Sequence, residues 1–167
     1  MGGVRIRPAL PGELPAIGDL RLAAYRADGF LTAESTYAPT LRELGADGGG
    51  EVLAAVDGGT LLGTVMLQPW PYADELVRAP HEAEIRALAV APQARGRGVG
   101  AALVTAVTER ALTLGVRRLL LLTRPDMLAA QRLYARAGFR RLPDRDWSPR
   151  PDLLLLAYGK ELTAAGA

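Results

Sequence analysis

The sequence contains no cysteine and a single histidine, His81. Without thiols the chain has no disulfide, no thiolate metal site and no cysteine nucleophile. One imidazole is too few for a metal site built on histidine, so we expect no metal cofactor.

The sequence also lacks long apolar runs. No stretch approaches the roughly 18 apolar residues of a membrane helix, and Met1 to Pro11 lacks the apolar core of a signal peptide. We therefore expect a cytoplasmic protein that does not bind membranes. Lysine is nearly absent, since Lys160 is the only one, and the net charge is +2. The arginines are dispersed and form no clustered basic patch, so no nucleic-acid partner is expected.

The 167 residues, 49% of them hydrophobic, fit one globular domain, and we predict a single domain over 1–167. Apolar runs and alternation predict strands, whereas a 3.6-residue spacing predicts helices. The predicted strands are 4–7, 51–56, 60–67, 82–90, 119–122 and 153–158; the predicted helices are 13–27, 41–44, 99–114 and 127–137, with Thr40 and Asp126 as N-caps of the second and fourth. This order indicates a mixed α/β layered fold, with a hairpin first and strand–helix–strand units second.

The segment from Arg95 to Ala101 carries the most information, because three alternate glycines stand where a predicted helix begins. The first N–H groups of a helix lack intrahelical partners and carry the positive end of its dipole. Without Cβ atoms in the way, a diphosphate can approach those N–H groups closely. Arg95 and Arg97 add positive charge beside the loop, so the segment predicts a site for a phosphorylated ligand.

The same loop also fits the dinucleotide fingerprint G-x-G-x-x-A, which leaves a nicotinamide-dependent oxidoreductase open. A Rossmann domain would place that fingerprint at its first strand–helix turn, with an acidic residue about 20 positions later. Here the loop follows a hairpin, and Thr123 and Arg124 stand at the end of the next strand. The lysine–serine/threonine pair of a nucleotide-binding P-loop is also missing, which argues against that class.

Three spaced motifs together resemble the GCN5-related N-acetyltransferase (GNAT) superfamily. Arg95-Gly96-Arg97-Gly98-Val99-Gly100 resembles the coenzyme A motif of that family. Glu84 to Pro92 resembles its fourth strand, and Ala130 to Phe139 resembles the helix and LY…GF signature near its C-terminal end. The resemblance implies a mixed, mostly antiparallel central sheet flanked by helices, in which the fourth and fifth strands splay apart and acetyl-CoA binds.

The resemblance also implies which residues hold the coenzyme. Pantetheine would pair with the backbone of Leu88 and Val90, and the diphosphate would bind N–H groups of the glycine loop. Met127 stands where the family often has an asparagine that contacts the cofactor, so Thr123 or Asp126 would have to supply that contact. The expected coenzyme-binding residues are Leu88, Ala89, Val90, Arg95, Gly96, Arg97, Gly98, Val99, Gly100, Ala101 and Met127.

Acetyl transfer to an amine needs a base, because free alkyl amines have a pKa of about 10.4. It also needs an oxyanion donor and an acid for the leaving thiolate. With no cysteine, direct attack in a ternary complex is the simplest course. Tyr134 is predicted as the general acid on the strength of the family motif, although helix periodicity alone favours a core tyrosine. By resemblance, the N–H group of Leu88 is the predicted oxyanion donor.

Glu84 is the predicted general base, acting through a water. Alternation along the strand places Glu82, Glu84 and Arg86 on one face. Glu82 and His81 are alternative bases. The other interpretation of the two glutamates is a pair of solvated carboxylates, one of them paired with Arg86.

The sequence thus predicts an acetyl-CoA-dependent N-acetyltransferase whose acceptor is a small-molecule amine or a peptide N-terminus. A non-catalytic acyl-CoA-binding module would keep the glycine loop without needing Tyr134, so it stays open. Candidate acceptor contacts are Tyr25, 30–37, 70–72 and 144–147, with the acids Glu34, Asp144 and Asp146; they serve equally well as loops that shield the core. The apolar C-terminal strand leaves a homodimer open.

Overall fold

The computed structural model describes residues 3–32, 35–71 and 76–163. The strands are β1 (Arg5–Pro8), β2 (Glu51–Asp57), β3 (Thr60–Pro69), β4 (Glu82–Val90), β5 (Arg118–Thr123), β6 (Arg140–Arg141), β7 (Trp147–Arg150) and β8 (Leu153–Glu161). The helices are α1 (Leu14–Ala27), α2 (Ala38–Glu43), α3 (Val99–Thr113) and α4 (Leu128–Arg136), with short 3-10 helices at Pro11–Glu13, Pro92–Ala94 and Pro143–Arg145.

The strands form a sheet in the order β1-β2-β3-β4-β5-β8-β6, and β7 pairs with β8. The pairings of β1 with β2 and of β8 with β5, β6 and β7 are antiparallel. The pairing of β4 with β5 is parallel and extends from Glu82–Arg118 to Ile85–Leu121. The predicted mixed, mostly antiparallel sheet flanked by helices is therefore confirmed.

The chain forms two compact units, one of residues up to Met66 together with Ala87–Val107, and one of Leu67–Arg86 with the residues from Thr108 onwards. In the first unit, Ile17 of α1 packs with Val52, Ala54 and Val56 of β2 and Met66 of β3. In the second, Leu76 and Val77 pack with Leu120 of β5 and Ala157 of β8. The single domain over 1–167 stays a prediction.

Local hydrogen bonds fix the start of α1, and the spacing of apolar residues sets the buried face of α3. The carboxylate of Glu13 accepts hydrogen bonds from the Leu10 N–H group (2.8 Å) and from Arg7 (2.7 and 3.0 Å), which fixes the entry to α1. In α3, Leu103, Val107 and Ala111 are fully buried, as their spacing of four residues predicts. The predicted and observed starts of this long helix coincide at Val99.

Two local predictions were wrong, and two strands were not predicted. Thr40 lies inside α2, which begins at Ala38 after Tyr37. Asp126 does not cap α4; its carboxylate accepts bonds from Arg124 (3.0 and 2.8 Å), and Met127 occupies the N-cap position. The strands β6 and β7 were missed, because a two-residue strand and the sequence Trp-Ser-Pro-Arg carry no alternating pattern.

Candidate functional site

The glycine loop before α3 has a backbone conformation that favours glycine. Gly96 has a φ of +81° and Gly98 a φ of +75°, both in the left-handed region. A Cβ atom at either position would meet no protein atom within 4 Å. Backbone conformation, rather than crowding by the protein, therefore explains these two glycines, and the space above them is open to a ligand.

The amide groups of this loop are available for binding. The first helical bond of α3 runs from the Ala102 N–H group to the Gly98 oxygen (3.0 Å). Within the part of the chain that the structure describes, the N–H groups from Gly96 to Ala101 have no acceptor. They stand at the positive end of a 15-residue helix, which is an arrangement that binds phosphate.

Both arginines of the loop have acidic partners. The guanidinium of Arg95 donates to both carboxylate oxygens of Asp28, at 2.6 and 3.0 Å, and to the carbonyl oxygen of Ala24 at 3.3 Å. Arg97 Nη2 donates to Asp57 Oδ2 at 2.7 Å. The positive charge that the sequence places beside the loop is thus largely compensated within the protein.

The last residues of β4 lie beyond its pairing with β5. The Ala91 N–H group donates to the Leu62 oxygen at 2.8 Å, on the side of β3. Because main-chain groups alternate in direction along a strand, those of Leu88 and Val90 point to the opposite edge. The pairing of β4 with β5 ends at Ile85, so it does not occupy that edge at Leu88 and Val90.

Two unusual features lie next to Leu88 and Val90: the backbone angle of Ala87 and the close packing at Gly63. Ala87 has a φ of +53°, the left-handed region that residues other than glycine rarely adopt. Gly63 of β3 has no room for a side chain. A Cβ atom there would lie 2.9 Å from the Ala89 oxygen and 3.0 Å from side-chain atoms of Val99 and Leu103. The first turn of α3 is therefore packed directly onto β3.

Glu84 of β4 is buried, with 6% of its surface exposed, so it is not a solvated carboxylate. Its Oε2 lies 4.0 Å from Nε of Arg86, which confirms the predicted shared strand face. Arg86 in turn donates to Oε1 of Gln68 on β3 at 3.1 Å. A base role for Glu84 stays a prediction. In that role Glu84 would have to take up a proton beside the guanidinium of Arg86.

Glu82, the first alternative base, is engaged in a buried ion pair. Its two carboxylate oxygens accept bonds from Arg145 at 2.9 and 2.8 Å, and Oε1 also accepts from the Arg78 N–H group at 2.9 Å. Burial alone would raise the pKa of Glu82, but the bonds from Arg145 and Arg78 outweigh burial and hold that pKa below its ordinary value. A carboxylate held so firmly is a poor proton acceptor.

His81, the second alternative base, is exposed, and its carbonyl oxygen accepts hydrogen bonds from the N–H groups of Arg117 and Arg118.

Tyr134 of α4 is buried among aromatic rings. Its ring lies 5.8 Å from that of Phe139 in an edge-on arrangement and 6.5 Å from that of Tyr158. This ring packing agrees with the core-tyrosine interpretation, and the acid role stays a prediction that depends on the family motif.

The Met127 position has a polar neighbour. The buried Thr123 hydroxyl at the end of β5 donates to the thioether sulfur of Met127 over 3.6 Å. Thioether sulfur is a weak acceptor, so this hydroxyl is held only loosely. Asp126 is paired with Arg124, which makes Thr123 the better of the two suggested replacements for the missing asparagine.

The candidate acceptor residues have mixed surroundings. Trp70 and Trp147 are exposed, and the rings of Tyr25 and Phe30 meet edge to face at 6.3 Å. Asp146 is bound by Arg141 at 2.7 and 2.8 Å, and these bonds lower the pKa of Asp146. Glu34 and Tyr72 lie outside the described residues.

Neither a membrane-spanning helix nor a metal-binding cluster occurs among the residues that the structure describes. No helix there is both long and apolar enough to cross a bilayer. No group of three or more histidine, aspartate or glutamate side chains there could hold a metal ion.

Sequence reasoning missed the ionic partners of the site residues. Asp28 lies 67 positions from Arg95, Asp57 lies 40 positions from Arg97, and Arg145 lies 63 positions from Glu82. No local pattern could have joined these pairs, because the register of distant elements brings them together.

Comparisons with known proteins give a consistent result. The model of the Acetyltransferase (GNAT) family matches residues 15–139. A mycothiol acetyltransferase from Sanguibacter keddieii is 36% identical over 143 residues, which are 83% of this chain and 44% of that protein. The chain spans less than half of the length of the mycothiol acetyltransferases that it matches.

Solved structures show the same fold. A protein from Desulfovibrio desulfuricans assigned to the GNAT family of acetyltransferases has a TM-score of 0.73 at 23% identity, covering 95% of this chain and 99% of its own. The PaiA N-acetyltransferase from Thermoplasma acidophilum, solved in complex with coenzyme A, has a TM-score of 0.72 at 14% identity, covering 96% and 99%.

Proposed function

Because the chain belongs to the acetyltransferase (GNAT) family, we propose that it transfers an acetyl group from acetyl-CoA to a primary amine by direct attack in a ternary complex. The observation that carries this proposal is the run of amide groups from Gly96 to Ala101 at the start of α3, without acceptors among the described residues. The first N–H groups of any helix lack intrahelical partners, but here Gly96, Arg97 and Gly98 before the helix add three more that have no acceptor among the described residues. Family membership also removes the reason to consider a nicotinamide-dependent oxidoreductase.

Coenzyme binding is assigned to main-chain groups. The loop amides hold the diphosphate, and the main-chain groups of Leu88 and Val90 pair with the amides of pantetheine as an added strand would. The coenzyme supplies the activated acetyl thioester. The Thr123 hydroxyl, whose one acceptor among the described residues is the Met127 sulfur, supplies the side-chain contact that the family asparagine would otherwise make.

The chemical step is assigned to two side chains and one main-chain group. Glu84 takes a proton from the amine through a water, which frees the nitrogen lone pair to form the new C–N bond. The Leu88 N–H group donates to the acetyl oxygen as negative charge develops there. Tyr134 gives its hydroxyl proton to the sulfur as the C–S bond breaks, and the ion pair with Arg145 leaves Glu82 out of the base role.

The acceptor is a primary amine on a small molecule or a peptide N-terminus. The name of the Sanguibacter relative supports a small-molecule acceptor. The exposed indoles of Trp70 and Trp147 are candidate contacts for it. We place the reaction in the cytoplasm, and a homodimer stays a prediction.

The deciding experiment measures thiol release from acetyl-CoA on a panel of small amines and peptides. Wild-type protein should release coenzyme A with at least one amine, and Tyr134→Phe should lower kcat by about a hundredfold, in the range usual for loss of a general acid. Glu84→Gln should remove the limb of the pH–rate profile that reports the base. A protein that binds coenzyme A but releases no thiol with any amine would instead be the non-catalytic binding module.

A further inference from the structure

The two arginines of the glycine loop are held by unequal ion pairs. Arg95 uses both terminal nitrogens on Asp28, and one of these nitrogens also reaches the Ala24 oxygen. Arg97 donates to Asp57 through one nitrogen only. Neither arginine has another partner among the residues that the structure describes.

The first pair ties the loop to the end of a helix. Asp28 is the residue that follows α1, and Ala24 lies in the last turn of that helix. Arg95 directly precedes Gly96, so the pair fixes the loop at its first residue. Between Arg95 and the buried Val99 the loop contains Gly96 and Gly98, which carry no side chains, so side-chain packing does not fix the loop over these residues.

From this difference we infer that Arg95 and Asp28 form a clasp that positions the loop amides for the diphosphate, whereas Arg97 is the arginine that contacts the diphosphate. The inference rests on the proposed function, because it assigns roles within the coenzyme site.

Charge and geometry both favour this division. The bidentate bonds take up the fork of the Arg95 guanidinium, and an anion approaching it would also meet the carboxylate of Asp28. Among the described residues, the Nε and Nη1 donors of Arg97 have no acceptor. Exposure does not distinguish the two arginines, since the side chain of Arg95 is 41% exposed and that of Arg97 44%. Asp57 then competes with the diphosphate for Arg97, whereas Asp28 does not compete with it for Arg95.

The test uses two matched neutral variants, Asp28→Asn and Asp57→Asn, and titration calorimetry with coenzyme A. Each variant removes one negative charge beside the loop, so a purely electrostatic effect would tighten binding in both. The clasp instead predicts opposite signs. Asp28→Asn should raise the Kd by about threefold to fivefold, the size expected for a partly exposed pair, and Asp57→Asn should lower it by about twofold. Asparagine suits the tight turn that follows Asp57, so the hairpin should be preserved.

Kinetics separate positioning from general damage to the fold. Asp28→Asn should raise KM for acetyl-CoA with kcat within about twofold of wild type, since a merely destabilised protein would lose kcat as well. Asp28→Glu keeps the carboxylate and should bind coenzyme A more tightly than Asp28→Asn. With S-acetylpantetheine, a donor without the diphosphate, Asp28→Asn and wild type should be equal.

The clasp is refuted if Asp28→Asn binds coenzyme A as tightly as wild type or more tightly, or if both asparagine variants shift affinity in the same direction. A wild-type protein that does not bind coenzyme A refutes the proposed function instead. The two failures are distinguishable because the wild-type titration is done first.

Discussion

The buried pair of Glu82 and Arg145 offers the sharpest test of the electrostatics of this protein. Glu82 is only 2% exposed and accepts two bonds from Arg145, which also donates to the Leu76 oxygen at 3.0 Å. Arg145→Met keeps much of the side-chain volume but leaves a buried carboxylate without its main partner. Breaking such a pair from one side costs about 3–5 kcal/mol. Since Arg118 stays 3.5 Å away, we expect the lower end, about 3 kcal/mol of the free energy of unfolding.

The loss should depend on pH with a defined sign. In the wild type the folded-state pKa of Glu82 lies below its unfolded value, so its contribution is complete above that unfolded value and falls away as the pH drops through the folded one. In Arg145→Met, the bonds from Arg145 no longer offset the effect of burial on Glu82. The pKa of Glu82 in the folded variant then rises above its value in the unfolded chain. Protonation then stabilises the variant at low pH, so its deficit should be larger at pH 8 than at pH 5.

Urea unfolding at pH 8 and pH 5 measures the loss of stability in Arg145→Met and the dependence of that loss on pH. Arg150→Met is the matched control, because the Arg150–Asp152 pair is more than half exposed on both sides and should contribute less than about 0.5 kcal/mol. Glu82→Gln/Arg145→Met should be more stable than Arg145→Met, since glutamine is neutral and still accepts the bond from Arg78. An equal deficit at the two pH values would refute the view that an ionised carboxylate is left buried.

Three further outcomes follow from backbone angles and surface charge. Ala87→Gly should raise the free energy of unfolding by up to about 1 kcal/mol in urea titration, and Ala87→Val should lower it, because φ is +53°. Gly98→Ala, at a φ of +75° with open space for the methyl group, should cost only the backbone term of about 1–2 kcal/mol by the same assay. Arg7 lowers the pKa of Glu13 to about 2, so Glu13→Gln should be less stable than wild type at pH 7, with a difference that shrinks between pH 4.5 and 2 in acid titration.

The parts of the fold that sequence predicts are those whose signal is local. The start of α3, the hairpin of β2 and β3 and the buried strand β5 all carry a periodicity or an apolar run within one element. The glycine loop is predictable for the same reason, since its binding groups are its own amides and glycine marks their exposure. The family motif then placed the loop in the right kind of protein.

The parts that sequence could not supply depend on contacts between distant segments. Gly63 has no visible role in the sequence, yet its missing side chain allows α3 to lie against β3. Asp28 and Asp57 lie in separate parts of the chain, and nothing near either one indicates an arginine partner. The left-handed angle at Ala87 is equally hidden, because alanine does not indicate such a conformation as glycine would.

The choice of base shows most clearly why burial and pattern do not decide a catalytic assignment. Glu82 and Glu84 are two residues apart on the same strand face, and both are buried. Glu82 is held through both carboxylate oxygens by Arg145, and Glu84 counts Arg86, at 4.0 Å, among its contacts. A carboxylate must be free to take a proton at the reacting amine, and a bidentate bond opposes that transfer. The bidentate bond from Arg145, some sixty positions away in the sequence, therefore argues against Glu82 as the base, and the base role of Glu84 stays a prediction.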